Sequence, residues 1–562
     1  MPPGGPRPPG SLEAMTTPVL VAVAWPYASG SRHLGHLAGA YLPADVFARH
    51  QRLVGNDVLM VSGSDVHGTP ITVRADAEGV TPADIVERYH GEFVRQWDAF
   101  GISWDLYTST GTPEHAAVTQ DMFLRQLENG YIDKRTSEQF FDPEAQRFLP
   151  DRYIEGTCPH CGYENARGDQ CDNCGRTLDP ADLIEPRSKL SGAAPELRDT
   201  EHYYWKLSAF NEPMLEWLRS QEGWRPHVLN FAVGMVEEGL HDRAFTRDLD
   251  WGIPLPVDDL GPGKSIYVWW EAVMGYYSAP QEWAQLQGDP DAWRAWWQDP
   301  EAEAYYFVGK DNIPFHAVYW PALLMGHGDL NLPTDVPANQ YVTFGGSKAS
   351  KSRGVGRSLQ WYIDHFEPDA LRYAIAASFP ETNDTDLSDD EMVRRVNDEL
   401  VSTWGNLVNR VVSMTHRYFE GVVPEAVDLT SADTALLDGI DATLAEVGEQ
   451  IAAVKLRAGL STAMAAASGV NVYLSEQEPW KSAKTDLART GTTLAVALNA
   501  ISGLAVALAP YLPFTSRTVL ETLQFEVPQA GPRWVRESVP AGTVLGPAVP
   551  LFRKAELPND ED

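Results

Sequence analysis

Two short segments about 310 residues apart constrain this chain most, because any fold it adopts has to make sense of both. The first is His33-Leu34-Gly35-His36. It follows the apolar run Val19 to Ala24 and the turn Trp25-Pro26-Tyr27-Ala28-Ser29-Gly30. The run reads as a buried strand, and a helical pattern from His33 to Leu53 sets the two histidines on one face at i, i+3 spacing. Imidazoles at a helix start, beside free backbone N–H groups and the positive end of the helix dipole, suit a polyphosphate. The second segment is Lys348-Ala349-Ser350-Lys351-Ser352, inside a stretch bounded by Gly345 and Gly354 that reads as a mobile loop with three cations in six residues. Together they suggest a nucleotide held from two sides while a phosphate bond breaks.

A chain of 562 residues is too long for one core, so two to four domains are expected. With 43% hydrophobic and 22% charged residues it has the composition of a soluble globular protein. The first 14 residues are rich in Pro and Gly and lack an apolar core, which fits a flexible tail better than a signal peptide. Thr493 to Phe514 is long and apolar but carries Asn499, Ser502 and Pro510, the pattern of a packed bundle helix, so no membrane partner is expected. The net charge of −34 disfavours nonspecific RNA binding. It leaves specific binding open, since only the potential where phosphates lie matters.

All four cysteines fall within 17 residues, as Cys158-Pro159-His160-Cys161 and Cys171-Asp172-Asn173-Cys174, with Gly162 and Gly175 after each pair. Each Cys-x-x-Cys-Gly forms a knuckle that aims two thiolates at one ion, and two knuckles complete a closed tetrahedral zinc site of structural type. The alternative is a pair of disulfides, which a reduced cytosolic setting disfavours. His160 reads as a surface residue.

Residues 18 to about 130 alternate strand and helix, with Val19–Ala24 and Val58–Ser62 as buried parallel strands. Asp65 and His67 follow the second run, at the carboxyl end where open α/β sheets bind ligands. From Tyr131 the pattern turns irregular, as an insertion would. Alternation returns with the runs Ser265–Glu271 and Ala304–Asp311, the latter leading into a helix that carries His316. After about residue 395 Ala, Leu and Val recur at three and four spacing, as in a helical bundle.

On these residues the chain resembles the class I aminoacyl-tRNA synthetases, and among them the methionyl-tRNA synthetase family. His33-Leu34-Gly35-His36 resembles the HIGH motif and Lys348-Ala349-Ser350-Lys351-Ser352 the KMSKS loop. Trp25-Pro26-Tyr27, Asp65 to Ile71, Tyr267-Val268-Trp269, Gly309-Lys310-Asp311-Asn312 and Phe315-His316 resemble segments specific to the methionine enzymes. The resemblance covers roughly residues 16 to 530, with motifs in the family's order.

It implies an α/β fold: a Rossmann-like parallel-sheet catalytic domain, an inserted zinc-knuckle connective domain and a C-terminal α-helical bundle. The implied divisions are a disordered tail at 1–15, catalytic halves at 16–130 and 241–335, and the connective insertion at 131–240. A linking domain with the signature loop would follow at 336–395, an anticodon-binding domain at 396–535 and an extension at 536–562. It also implies activation of L-methionine by ATP with Mg²⁺, then transfer to the 3′ end of initiator and elongator tRNA(Met). His33, His36, Lys348 and Lys351 would be catalytic, and Gly35, Gly309, Lys310 and Asp311 would complete the ATP site, Gly35 by letting adenine pack close. Trp25, Tyr27, Trp269, Tyr276 and His316 would enclose the thioether, for which aromatic walls are suited, and Asp65 would receive the ammonium. Asn406 and Arg410, four apart on a helix, with Trp480 as a stacking plane, would read the anticodon. The chain departs from the family at Ala349, at Val66 and at Glu271-Ala272-Val273, where Asp-Ala-Pro is common. A cytoplasmic monomer is expected. The competing readings are a class I paralogue, either an inhibitor-tolerant duplicate or one for a different amino acid, and a non-catalytic tRNA-binding relative.

Overall fold

The computed structural model describes residues 16–149, 153–168, 171, 173–174, 178, 180–249, 251–261, 263–344, 347–348 and 357–557. Five parallel strands form the central sheet, in the spatial order Ala338–Asn339, Glu303–Gly309, Pro18–Val23, Asp57–Ser64, Leu106–Ser109. Val19 faces Glu303 on one side and Val58 on the other. The strand order reverses at Pro18–Val23, which opens a crevice at the carboxyl ends of this strand and of Glu303–Gly309.

Both faces of the sheet are buried. Val19, Val21 and Val23 pack into a core shared with the C-terminal helices. Leu20 and Ala22 pack the other way, against the helix Val268–Gln287 and the base of the insertion. That two-sided burial is why Val19–Ala24 is apolar throughout rather than alternating.

The helix after the first strand runs continuously from Leu34 to Leu53, with a π-helical turn at Leu37–Tyr41. His33 is its N-cap. The run Ser265–Glu271, expected as a strand, is one only over Lys264–Ile266, which pairs antiparallel with Thr246–Asp248 outside the main sheet. From Val268 it is helical, capped by Tyr267. Its aromatic and β-branched residues favour strands locally, and packing across the sheet face overrides that preference.

The insertion is a long antiparallel ribbon, Ile132–Asp142 against Glu196–Trp205. It carries a small three-stranded sheet that holds the cysteines. That subdomain buries a core of Leu149, Tyr153, Ile154, Cys158, Ala166, Cys171 and Leu183, too small to be stable without a cross-link or metal.

Beyond residue 395 come helices Asn406–Phe419, Ser431–Ala452, Leu456–Gln477, Leu487–Leu508 and Pro513–Thr522. Among the described residues Leu487–Leu508 is the one helix long and apolar enough to cross a membrane, and 94% of its most apolar window is buried. It stops before Pro510, short of the expected Phe514. The chain then runs back without helix over the catalytic unit. Trp534 donates its backbone N–H to the Leu53 carbonyl at 3.1 Å, and its ring meets His50 edge-on at 4.6 Å. Ala555 and Asn397 exchange two hydrogen bonds.

One buried ion pair joins these units. Arg372, on the linking helix Pro368–Ala376, pairs with Asp45 of the signature helix at 2.6 Å, both side chains fully buried. Arg372 also donates to the carbonyls of Phe100, Pro510 and Tyr511. Asp45 accepts from Ser103 and Arg49 as well. Burial alone would raise the Asp45 carboxyl, but Arg49, Arg372 and Ser103 hold it far below the usual carboxylate range. Replacing Arg372 with Ala leaves that carboxylate buried with one cation fewer and should cost about 3–5 kcal/mol. Urea unfolding of wild type and Arg372→Ala measures it, and a loss under ~1 kcal/mol would contradict the role of this pair.

Candidate active site

The crevice at the carboxyl ends of the strands is a cavity of about 450 Å³. Trp25, Tyr27, His33, Gly35, His36, Asp65, Trp269, Tyr276, Gly309, Asp311 and His316 all line it. Lys310 does not. It pairs with Asp384 at 2.9 Å and lies over the Tyr341 ring. Lys348 falls on a short strand antiparallel to Val342–Phe344, whose first residue is part of the cavity wall. The Lys348 side chain and the whole of Lys351 lie outside the described residues.

At one end the two histidine rings are 3.9 Å apart. The His33 Nδ1 accepts from the Gly35 N–H at 3.1 Å, and the His36 Nδ1 from the His33 N–H at 3.3 Å. Free donors at the helix start therefore have imidazoles as partners. A Cβ on Gly35 would stand 2.9 Å from the His33 ring, so only glycine leaves the ring its place.

The other end is aromatic. Trp269 stacks on Phe315 at 4.3 Å and meets Tyr27 edge-on at 5.9 Å. His316 accepts from the Tyr276 hydroxyl at its Nε2, 2.7 Å away, and donates from Nδ1 to the Asn312 carbonyl at 2.8 Å, a tautomer fixed by these partners. Burial lowers the His316 pKa to about 4, so the ring is neutral at physiological pH. The Trp25 and Tyr27 rings owe their positions to glycines. A Cβ on Gly63 would come within 2.3 Å of Trp25, one on Gly275 within 2.7 Å of Trp25, and one on Gly68 within 2.1 Å of Tyr27.

Asp65 sits between the two ends, 3% exposed. Burial, and then the neighbouring Glu271, push its carboxyl well above the ordinary range. A ligand cation would favour its charged form. Glu271 is fully buried in the first turn of Val268–Gln287 and bonds the His67 imidazole, while the backbone N–H of His67 donates to the Asp65 carboxyl at 3.3 Å. The departure from the family at position 271 thus lies one contact away from the ammonium candidate.

Arg32, Tyr41 and Gln340 also line the cavity and were not anticipated. The basic residue of Arg32-His33 was the available signal for the first. Gln340 is brought in by the fifth strand and carries no local signal.

Two further groups lie apart from the cavity. The four cysteine sulfurs are within 4.8 Å of one another, with Cys158–Cys174 at 3.9 Å and Cys161–Cys171 at 3.6 Å. These distances exclude disulfides, which need about 2.05 Å. They match the ~3.8 Å edge of a tetrahedron with 2.3 Å metal–sulfur bonds. The Cys161 thiol is lowered to about 6, first by the Asn173 side chain and then by the Tyr163 backbone, which favours the thiolate a metal needs. His160 is exposed. In the bundle, the Arg410 guanidinium lies over the Trp480 ring at 5.5 Å, and Asn406 is exposed one helical turn before it.

The chain matches two family profiles. Residues 19–412 match tRNA synthetases class I (M), and residues 423–562 match the anticodon binding domain of methionyl tRNA ligase. It is 49% identical to the methionine–tRNA ligase of Roseiflexus castenholzii, over 96% of this chain and 97% of that one. It is 50% identical to that of Dehalococcoides mccartyi, over 96% and 98%. Its structure resembles Mycobacterium tuberculosis methionyl-tRNA synthetase in complex with methionyl-adenylate, with TM-score 0.80 at 26% identity, covering 96% of this chain and all of that one. The match over residues 19–412, with the open-sheet crevice, the signature helix and the inserted ribbon, defines a class I tRNA synthetase. The chain belongs to the methionyl-tRNA synthetase family of that class.

Gly68→Ala should force the Tyr27 ring aside and raise the KM for methionine by roughly tenfold, the scale of an overpacked contact. Steady-state ATP–pyrophosphate exchange reads this, and an unchanged KM would show that Tyr27 does not shape the pocket.

Proposed function

We propose that the chain activates L-methionine with ATP, taken as its Mg²⁺ complex, and passes the methionyl group to the 3′ end of tRNA(Met), initiator and elongator alike. The observation that supports this most is a single cavity with imidazoles at one end and an aromatic cage with a buried carboxylate at the other. In the first step a methionine carboxylate oxygen bonds to the α-phosphorus, the bond to the bridging oxygen breaks, and pyrophosphate leaves with the electron pair. Such chemistry depends on positioning and charge stabilisation. His33 and His36 would contact the phosphates, Gly309 and Asp311 the nucleoside, and Lys348 and Lys351 the pyrophosphate from the signature segment.

Asp65 would take the α-ammonium, whose charge offsets the burial that disfavours the carboxylate. The neutral His316 and Tyr276 would close the cage around the thioether without presenting a full charge to it. Asn406, Arg410 and Trp480 would meet the anticodon, the last by stacking. We read the protein as a cytoplasmic monomer.

ATP–pyrophosphate exchange with each amino acid, then charging of tRNA, tests the reading. Methionine alone should support exchange and charging, and exchange with another amino acid only, or with none, would refute it. The four cysteines would hold one structural zinc, which ties the small inserted sheet together and takes no part in the reaction. Metal analysis should find about one zinc per chain, as one closed site requires. Cys171→Ser should lower that content and loosen the insertion to proteolysis. A fully folded insertion without metal would refute it.

A further inference from the structure

Arg32 has no part in the reading above. It is 9% exposed and lines the cavity beside His33, Gly35 and His36. Its Nε donates to the Gly30 carbonyl at 3.1 Å, and its Nη2 donates to the Tyr27 and Gly30 carbonyls at 3.0 and 2.6 Å. The face of the group lies over Phe93, 4.7 Å from the ring centroid. Nη1 turns the other way, toward Nε2 of His36 at 3.3 Å. A guanidinium has five N–H donors. Carbonyls take those of Nε and Nη2, His36 faces one on Nη1, and the second on Nη1 has no acceptor among the described residues.

Among the described residues no carboxylate bonds this cation. Glu92 acts on it only through space and accepts its own hydrogen bond from Ser31 at 3.2 Å. Two carbonyls and an imidazole are partial charges, and a buried full charge with no bonded counter-ion is costly to keep. The costly group sits where a polyphosphate would lie. Its planar fork is fixed on one edge by backbone and turns the other edge toward His36 of the cavity wall, which a flexible lysine would not do.

We propose that Arg32 is a further catalytic residue of adenylate formation, its Nη1 edge touching a phosphate oxygen of ATP beside His36. This rests on the synthetase reading. Arg32 transfers no proton. It stays a guanidinium while the carboxylate–phosphorus bond forms and the bridging bond breaks, and it stabilises the charge that moves onto the departing oxygens.

ATP–pyrophosphate exchange by the full-length protein, with methionine varied up to saturation, tests this. Arg32→Gln should lower kcat about 10²–10³-fold, the usual loss for one preorganised donor, with the KM for methionine nearly unchanged. Arg32→Ala should regain part of its lost rate when guanidinium is added below denaturing concentration. A purely structural role, bracing the turn that carries Tyr27, predicts the opposite. The KM for methionine would rise, kcat would hold and guanidinium would restore nothing, and that result overturns the proposal. Should Arg32→Gln be insoluble, Arg32→Lys serves, with a several-fold fall in kcat expected and a wild-type kcat counting against the proposal. Wild type that fails to exchange overturns the underlying reading. Wild type that exchanges beside an unimpaired Arg32→Gln overturns only the role of Arg32.

Discussion

The fully buried pair of Arg372 and Asp45 is the interaction on which the arrangement of this molecule turns. Asp45 is on the helix that begins at the signature histidines, and Arg372 is on the linking helix that follows the signature segment. Three further donors of Arg372 end on carbonyls of the catalytic unit, at Phe100, and of the bundle, at Pro510 and Tyr511. A buried ion pair is weak evidence for stability when compared with an apolar substitute, but breaking one partner is severe. Its use here is geometric: three units close in the arrangement that brings their acceptors to four donors of one guanidinium.

A second connection runs parallel to it. Arg225, just before the helix Pro226–Glu237, donates to the Val454 carbonyl in the turn between two bundle helices and to the Asn339 side chain at 2.6 Å. Asn339 in turn donates to the Gly39 carbonyl inside the π-helical turn at the cavity. Bundle and crevice are thus joined by a short series of hydrogen bonds. A displacement at the Val454 turn would be felt at the wall of the site.

Much of the cavity was legible in the sequence because its chemistry is local. His33, His36 and Trp25 through Tyr27 lie in one strand–turn–helix unit, and the cysteines lie within one short stretch. What could not be read depends on partners far off in the chain. Nothing around Asp45 or Arg372 marks them as a pair, since they are separated by 327 positions. Glu271 was visible only as a departure, because its burial against His67 arises from folding. Val268–Gln287 was misread at its start, since a run of Tyr, Val and Trp favours a strand until the sheet face it covers is known. The return of the tail through Trp534 to His50 has no periodicity to announce it.

The π-helical turn at Leu37–Tyr41 has its own consequence. One surplus residue rotates everything downstream by about 100° relative to an uninterrupted winding. The two halves of Leu34–Leu53 are thereby put in different phase: the first shows imidazoles to the cavity, the second shows Asp45 inward to Arg372 and His50 to Trp534. Similar turns occur at Phe315–Tyr319, on the cage wall, and at Arg395–Gly405, immediately before Asn406. A single deletion inside such a turn would straighten the helix yet point its far half at the wrong neighbours. The irregular winding therefore works as a phase adjuster between a surface shaped by small molecules and one shaped by the protein's own chain.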